Sequence, residues 1–353
     1  MKHLKNLVLV ATSVVLIGVA CTKDTTTTTT TVGNWVKRSA FDGNGRAGAA
    51  CFVINDIAYV GTGYDGTNRY NDLWAFNATS QSWTQKAYMP TAAGKRNSAA
   101  AFAIGSKGYV VGGACDANLG YNGKLNDTWE YDATANLWTA TPKASLPDPN
   151  ATIGSGARYG AVGFAIGGKG YVGTGYTGSH TKDMYEYNPG NDTWTQKTSM
   201  PSTDKRTGAA VMVYNDKAYI VSGTNNGVVV NEMWVYTPAN DSWEQKRSIT
   251  NVSTDTYDDA YTTVTRSNAV AFVMGTKGYL ATGINGSYTN NTWEYNFADD
   301  TWTEKTRFER AERSDAVAFV LGGRAFVALG KNSTYYYDNL EEFKPNDTYS
   351  AND

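Results

Sequence analysis

Residues 46–63 read RAGAACFVINDIAYVGTG, and this stretch decides the fold. An apolar run follows Arg46 and is broken only by Asn55-Asp56, two residue types that favour tight turns. Tyr59 lies thirteen positions after the arginine, and Gly63 lies four positions after the tyrosine. The stretch therefore predicts a hairpin of two short strands, Ala47 to Ile54 and Ile57 to Thr62.

This pattern occurs six times along the chain. The arginine, aromatic and glycine positions are Arg46–Tyr59–Gly63, Arg96–Tyr109–Gly113, Arg158–Tyr171–Gly175, Arg206–Tyr219–Gly223, Arg266–Tyr279–Gly283 and Arg313–Phe326–Gly330. The six arginines are 47 to 62 residues apart, so each unit is long enough for one supersecondary module.

Two further aromatic segments follow in each unit, with their key residues nine positions apart. The pairs are Trp74–Trp83, Trp129–Trp138, Tyr185–Trp194, Trp234–Trp243 and Trp293–Trp302, with Leu340–Tyr349 as a degenerate sixth pair. Turn residues such as Asn191-Asp192 and Asn240-Asp241 precede the second aromatic. These segments predict a third and a fourth strand, and no segment has a helical apolar period with caps.

Four antiparallel strands per repeat are typical of a β-propeller blade. We predict an all-β, six-bladed propeller in which large aromatic side chains fill the space between blades. Trp35 lies eleven residues before Arg46, as Trp302 lies eleven before Arg313, so the Trp35 segment aligns with a fourth strand. The N-terminal strand should therefore complete the last blade and close the ring.

An arginine, an apolar strand, an aromatic-x-x-x-Gly segment and then two aromatics resemble the kelch repeat of the galactose oxidase and kelch-like superfamily. The resemblance covers residues 35 to 349. The family's glycine pair is complete only at Gly112-Gly113, and its first member is elsewhere replaced by Thr62, Thr174, Ser222, Thr282 or Leu329.

The N-terminal residues predict export and lipidation. Lys2 and Lys5 precede an apolar stretch, and Gly18-Val19-Ala20-Cys21 resembles a bacterial lipoprotein signal. We expect residues 1–20 to be a signal peptide, Cys21 to be lipidated, residues 21–31 to be a threonine-rich tether and residues 32–353 to be the propeller. The alternative is an ordinary signal peptide cut near Ala20. Either reading predicts a protein outside the cytoplasm, and lipidation predicts one anchored in the cell envelope.

The charge balance argues against a nucleic-acid partner. Loss of Lys2 and Lys5 with the signal leaves 29 basic and 33 acidic side chains, a formal charge of −4, and there is no basic run. Cys51 lies in an apolar strand, where a thiol behaves as a small hydrophobic group, so we expect no disulfide framework. We expect a monomer.

The loops after the second strand and between the repeats are the candidate binding surface, because kelch propellers usually bind on that face. Its tyrosines offer rigid contact area with a polar tip. The candidate ligand-binding residues are Tyr64, Tyr121, Tyr176, Tyr288 and the six repeated arginines, Arg46, Arg96, Arg158, Arg206, Arg266 and Arg313. The arginines could hold a carboxylate or sulfate. Alternatively, they bond loop carbonyls or pair with acids such as Asp315 and Glu312.

Other motifs carry little chemistry. Three GxGxxG matches, beginning at Gly43, Gly61 and Gly173, are not followed by a helix, which a dinucleotide site requires. After signal removal His180 is the only histidine, too few for the two-histidine copper centre of galactose oxidase, and we interpret it as a solvated loop residue. The acidic segment 255–259 lacks the spacing of an EF-hand, and we interpret it as an exposed loop rather than a calcium site. We assign no metal, cofactor or catalytic residue.

Two functions remain open, together with a structural role in an envelope assembly. The first is a binding module that recognises a glycan or protein ligand without turnover. The second, implied by six-bladed kelch proteins that interconvert sialic acid anomers, is a mutarotase or epimerase acting on an acidic sugar.

Overall fold

The computed structural model describes residues 32–118, 120, 122–147 and 156–353. These residues form six four-stranded antiparallel sheets, so the predicted six-bladed propeller is confirmed. The predicted signal peptide, lipidated Cys21 and tether lie outside the described residues and stay predictions. None of the described residues belongs to a helix long and apolar enough to cross a membrane.

The strands follow one order in every blade. The first strand is β1 (Val32–Arg38), and blade one contains β2 (Ala50–Ile54), β3 (Ile57–Gly61), β4 (Leu73–Asn77) and β5 (Ser82–Gln85). Blade two contains β6 (Ala100–Ile104), β7 (Lys107–Ala114), β8 (Lys124–Asp132) and β9 (Leu137–Trp138). Blade three contains β10 (Val162–Ile166), β11 (Lys169–Gly173), β12 (Met184–Asn188) and β13 (Thr193–Lys197).

Each of the last three blades has a small extra hairpin between its second and third strands, made of two strands of two residues each. Blade four contains β14 (Ala210–Tyr214), β15 (Lys217–Val221), the hairpin β16 (Thr224–Asn225) and β17 (Val228–Val229), then β18 (Met233–Thr237) and β19 (Ser242–Gln245). Blade five contains β20 (Val270–Met274), β21 (Lys277–Ala281), the hairpin β22 (Ile284–Asn285) and β23 (Ser287–Tyr288), then β24 (Thr292–Asn296) and β25 (Thr301–Lys305). Blade six contains β26 (Val317–Leu321), β27 (Arg324–Ala328), the hairpin β28 (Lys331–Asn332) and β29 (Tyr335–Tyr336), then β30 (Leu340–Thr348). Two single-turn 3₁₀ helices, Thr91–Ala93 and Pro238–Asn240, complete the described elements.

The innermost strand of each blade alternates between two environments, because successive side chains of a strand point to opposite faces. Phe52 faces the neighbouring blade and stacks on Tyr59, with ring centroids 5.4 Å apart. Cys51 faces the central channel, which is lined by alanine, valine and glycine from all six inner strands. The core therefore lies between blades, and small apolar side chains line the channel.

The N-terminal strand closes the ring as predicted. β1 pairs antiparallel with β30, and Trp35 is the register partner of Phe343. Residues 340–348 form one continuous strand, the third of blade six, and β1 is the fourth, as the predicted closure requires. Trp35, fully buried between Phe308 and Phe343, occupies the place of the missing fourth-strand aromatic.

Candidate functional site

The six repeated arginines lie just before the inner strands, and their side chains are 0 to 2% exposed. In every blade the Nη1 group donates to the carbonyl oxygen sixteen residues later, at 2.7 to 3.4 Å. The accepting residues are Thr62, Gly112, Thr174, Ser222, Thr282 and Leu329. The arginine thus fixes the end of the second strand in its own blade.

In four blades the guanidinium also pairs with a carboxylate, which lies inside the third strand in blade two and immediately before it in blades one, three and four. The pairs are Arg46–Asp72, Arg96–Asp127, Arg158–Asp183 and Arg206–Glu232, at 2.5 to 2.9 Å. Asp315 and Glu312, the acids suggested from sequence proximity, are not the partners. This arrangement matches the structural alternative for the arginines, while direct ligand binding by them stays a prediction.

The backbone beside the arginines forms two closed rings of hydrogen bonds around the channel. In the outer ring the N–H of Gly63, Gly113, Gly175, Gly223, Gly283 or Gly330 donates to the arginine carbonyl of the next blade, at 2.7 to 3.0 Å. In the inner ring each residue two positions after an arginine donates to its counterpart in the preceding blade, at 2.7 to 3.0 Å. The inner-ring residues are Gly48, Ser98, Gly160, Gly208, Asn268 and Asp315.

The inner ring frames a cavity of about 230 Å³ at the loop end of the channel, which we call the channel mouth. Its polar side chains are Ser98, Tyr159, Thr207, Asn268 and Asp315, and five alanines that immediately precede inner strands complete the lining with three glycines. Blade three, which supplies Tyr159, is opposite blade six, which supplies Asp315. A small polar molecule seated here would contact several blades at once.

Asp315 is the single carboxylate among the described residues that line the channel mouth. It adopts the left-handed conformation, with φ of 55°. The Ser314 hydroxyl donates to its Oδ2 at 2.7 Å. Burial raises the pKa of the Asp315 carboxyl, although hydrogen bonds from Ser314 and Asn268 and the charge of Lys331 oppose the shift. A carboxyl with a raised pKa in a cavity is suited to proton transfer.

The β28–β29 hairpin of blade six brings a cation, Lys331, near this carboxyl and carries an aromatic ring, Tyr336, beside that cation. Lys331 is the register partner of Tyr336. Its backbone also forms an isolated antiparallel β-bridge with Ser314, the residue before Asp315. The Tyr336 ring lies edge-on to Tyr64 of blade one, with centroids 6.1 Å apart. Blades six and one therefore present a positive charge and an aromatic surface on the same face as the mouth.

The predicted tyrosines are distributed around this face. Tyr64 is half-buried beside Tyr336, Tyr176 packs on Tyr159 with ring centroids 5.4 Å apart, and Tyr288 lies in the blade-five hairpin. Tyr121 lies outside the described residues. Ligand contact by these tyrosines stays a prediction.

The sequence context predicted that His180 is a solvated loop residue. The structure shows that this prediction is wrong. Its ring is half-buried and meets Tyr176 edge-on at 5.3 Å, and its Nε2 accepts a hydrogen bond from the Asn226 N–H at 3.0 Å. Burial lowers its pKa, and the hydrogen bond that Nε2 accepts requires this nitrogen to carry no proton. It connects the loops of blades three and four.

The acidic segment 255–259 is a loop, as predicted, in which Asp255, Thr256 and Asp259 are exposed and only Asp258 is buried. Asp258 is fully buried and accepts hydrogen bonds from the Val252 and Ser253 N–H groups, at 3.2 and 3.0 Å. Its carboxylate therefore stabilises the loop from inside. No cluster of three histidine, cysteine, aspartate or glutamate side chains suited to a metal ion occurs in the described part of the chain.

The channel mouth was not predicted from the sequence, because the repeated arginines were chosen as candidate ligand-binding residues instead. A signal was available: the residue two positions after each arginine is glycine in three repeats and Ser98, Asn268 or Asp315 in the others. A repeated position that alternates between glycine and small polar residues indicates backbone with positive φ. In a propeller, such a position at the start of the inner strand lies at the channel.

Comparison with known proteins identifies related chains. A family model for the KLHDC2/KLHL20/DRC7 Kelch-repeats domain matches residues 18–153, and the Kelch motif model matches residues 205–248. N-acetylneuraminate epimerase of Pasteurella multocida (strain Pm70) is 29% identical over 213 residues, which cover 50% of this chain and 52% of that protein. The enzyme of the same name from Haemophilus influenzae (strain PittEE) is 26% identical over 209 residues, covering 51% and 53%. The aligned region thus spans about half the length of these curated relatives.

A solved structure, titled Structure of YjhT, superimposes with a TM-score of 0.67 at 16% sequence identity. The superposition covers 86% of this chain and 95% of that chain. At this identity the likeness shows the fold alone.

Proposed function

Because the chain is a six-bladed kelch-repeat β-propeller, we propose that it binds a carboxylated sugar at the channel mouth and interconverts the sugar's anomers. The observation that carries the proposal is Asp315, a carboxyl with a raised pKa inside the mouth. The partial similarity to two proteins named N-acetylneuraminate epimerase supports the choice of an acidic sugar.

The chemistry requires only proton transfer. As the bond between the anomeric carbon and the ring oxygen breaks, the anomeric hydroxyl loses its proton and the ring oxygen gains one. Asp315 takes the first proton and returns it when the ring closes on the opposite face. Tyr159, on the opposite blade, is the candidate donor to the ring oxygen, because burial raises its pKa and keeps its hydroxyl protonated. General acid–base assistance of this kind typically contributes about 10²- to 10⁴-fold.

The direct test is anomer exchange of N-acetylneuraminate, followed by NMR with purified protein. We expect the wild type to accelerate exchange catalytically and Asp315→Asn to lose about 100-fold or more. Glu312→Gln is the matched control, since Glu312 is an exposed acid three residues away and should leave the rate unchanged. Absence of acceleration by the wild type would refute the proposed reaction.

Recognition of a glycan without turnover is the second candidate. The observation that favours it is the aromatic surface beside the mouth, where Tyr335 is 63% exposed and Tyr64 packs against Tyr336. Calorimetry that detects saturable binding of an acidic sugar, together with no change in its exchange rate, would select this function over the first.

We also propose, on the N-terminal sequence alone, that Cys21 anchors the protein in the cell envelope. Mass spectrometry of the mature protein should find acyl chains on Cys21, and Cys21→Ala should release the protein from the membrane fraction. An unmodified mature N-terminus would leave the ordinary signal peptide as the explanation.

A further inference from the structure

One hydrogen bond from His180 joins the loop of blade three to the hairpin of blade four. The His180 Nε2 accepts the Asn226 N–H at 3.0 Å. Asn226 lies at the tip of the β16–β17 hairpin, with φ of 50°. The His180 Nδ1 is buried and has no hydrogen-bond partner among the described residues. The link between the two blades is therefore a single bond, which requires an unprotonated Nε2.

On the blade-three side, ring contacts lead from His180 to the channel mouth. The imidazole meets the Tyr176 ring edge-on, with centroids 5.3 Å apart, and the Tyr176 ring packs on Tyr159 at 5.4 Å. The backbone follows the same path, because Tyr176 forms antiparallel bridges with both His180 and Tyr159. Tyr159 is one of the polar side chains that line the mouth. A displacement of His180 therefore reaches the mouth through one intervening residue.

On the blade-four side, the hairpin leads to a second lining residue. Thr224, at the start of the hairpin, exchanges two backbone hydrogen bonds with Thr207, at 2.9 and 3.0 Å. Thr207 lines the mouth, and its Oγ1 donates to the Gly160 carbonyl of blade three at 3.1 Å. The bond between His180 and Asn226 thus completes a closed circuit of contacts that includes two neighbouring walls of the mouth.

Protonation of His180 would break this circuit. An imidazolium donates from both ring nitrogens and accepts at neither, so a protonated Nε2 would oppose the Asn226 N–H, donor against donor. Burial lowers the pKa of His180, so the ring takes up its proton below the ordinary value of about 6.5. The closed arrangement is therefore compatible only with the neutral ring.

The charged side chains on the adjoining segments are bound to other groups. The bonded pairs are Lys182–Ser202 at 2.9 Å, Arg206–Glu232 at 2.7 Å and Asp204–Asn225 at 3.3 Å, while Lys205 is exposed. Tyr176 is the titratable side chain in ring contact with the imidazole. In the part of the chain that the structure describes, no carboxylate forms an ion pair with His180, so a proton there gains no counter-ion.

We infer that His180 is a pH-sensitive latch at the channel mouth, which holds the blade-three and blade-four walls together while neutral and releases them when protonated. The mouth should therefore hold its ligand best at neutral pH and more weakly in acid. This effect on the ligand rests on the proposed function, whereas the latch itself is measured without a ligand.

The test is a pH titration of the full chain followed by NMR. The backbone N–H signals of Asn226, Thr207 and Tyr159 should shift with the same midpoint as the His180 ring, below about pH 6.5. Protection of the Asn226 N–H against hydrogen exchange should fall by about 2- to 12-fold, the equivalent of one neutral hydrogen bond. The wild-type titration does not depend on any variant folding.

His180→Gln removes the titration but keeps a neutral acceptor, because a glutamine amide oxygen can receive the Asn226 N–H. The three shifts should disappear in this variant, and the lost ring signals distinguish His180 from His3. Asn226→Gly is the matched control, since it retains the N–H and favours positive φ, and it should titrate like the wild type.

Calorimetry with N-acetylneuraminate at about pH 7.5 and about pH 5 then measures the effect on the mouth. The wild type should lose about 2- to 12-fold more affinity in acid than His180→Gln does. A loss shared by both proteins belongs to Asp315, which also titrates at the mouth.

The outcomes separate the two proposals. If the three N–H signals do not follow the imidazole, or if they titrate in His180→Gln as in the wild type, the latch is wrong. Equal losses of affinity in the wild type and His180→Gln would overturn its control of the mouth. If the sugar does not bind at either pH while the signals follow the imidazole, the latch stands and the proposed function falls.

Discussion

At the residue scale, the end of the second strand shows a conformation maintained against local preference. Thr62, Thr174, Ser222, Thr282 and Leu329 have φ between 53° and 64°, where a side chain normally costs about 1–2 kcal/mol. Blade two has Gly112 at this position, also with positive φ. The position accepts strain because its carbonyl receives the arginine Nη1 in every blade. The repeated hydrogen bond to arginine therefore outweighs the local preference of these residues for negative φ.

This strain predicts a stabilising substitution. Thr282→Gly and Thr174→Gly should each raise the free energy of unfolding by about 1 kcal/mol, since glycine removes both the strain and a buried hydroxyl without a partner. Thr62→Gly is the control, because the Thr62 hydroxyl accepts the Ala50 N–H at 3.2 Å and its removal offsets the gain. Urea unfolding measures all three. Unfolding free energies of Thr282→Gly and Thr174→Gly that do not exceed the wild-type value, or changes equal to that of Thr62→Gly, would contradict this account.

Asp315 predicts a pH dependence of stability. Burial raises its pKa in the folded state above the unfolded value of about 3.9, so the folded protein binds the proton more tightly. Its contribution to stability is present at low pH and is lost as the pH rises through the folded-state pKa. Asp315→Asn should flatten this part of the curve and stabilise the protein at neutral pH. Unfolding in urea between about pH 4 and pH 8 measures the difference. A parallel curve for the variant would contradict the assignment.

At the scale of the blade, the turn between the third and fourth strands connects neighbouring blades. In four of these turns, one residue has a left-handed backbone conformation. Its side-chain oxygens accept one hydrogen bond from a tyrosine hydroxyl of the same blade and one from a backbone N–H of the preceding blade. The bridging residues are Asn136, Asp192, Asp241 and Asp300. A residue selected as a turn former thus also fixes the spacing between blades.

We predict that Asp300→Ala lowers the free energy of unfolding by about 3 kcal/mol. The change leaves the buried Tyr295 hydroxyl and the Arg247 N–H without their acceptor and places alanine at a φ of 54°. Asp300→Asn should cost less than about 1 kcal/mol, because Asn136 makes the same two bonds in blade two. Chemical denaturation distinguishes the variants. Equal losses would show that the side-chain acceptor is unimportant.

At the scale of the whole molecule, ring closure is non-covalent. Two hydrogen-bond rings pass through all six blades, and both depend on blade six meeting blade one. The β1–β30 pairing supplies the missing strand, and Trp35 fills the space between Phe308 and Phe343, with ring centroids 4.8 and 4.6 Å away. Loss of this strand would expose the edge of β30 and open every ring.

Removal of the closing strand should therefore affect the entire propeller. Deletion of residues 32–40 should lower the melting temperature by many degrees and promote aggregation through the exposed edge. Trp35→Ala should cost about 3–5 kcal/mol, and Trp35→Phe should retain most of the packing. Scanning calorimetry checks both the temperature and the cooperativity. An unchanged transition after the deletion would refute closure by β1.

The sequence by itself determined the number of blades, the strands within them and the closing segment. Each of these depends on local chemistry: alternation of apolar residues, turn formers such as Asn55-Asp56, and an aromatic residue at a fixed spacing. Local preferences repeated six times reinforce one another, so the pattern could be interpreted without knowledge of any contact. At the degenerate Leu340–Tyr349 pair, where the fourth strand comes from the other end of the chain, the spacing of Trp35 before Arg46 predicted that strand.

Only the tertiary structure decided what the arginines contact and where a ligand could bind. Asp72 is 26 positions from Arg46 yet 2.5 Å from its guanidinium, whereas Asp315, two positions from Arg313, turns into the channel mouth. Partners of a buried charge are chosen by the packing of strands, and sequence distance does not record that packing. The mouth itself combines residues from Gly48 to Ala316, and it exists only because closing the ring brings the starts of all six inner strands together.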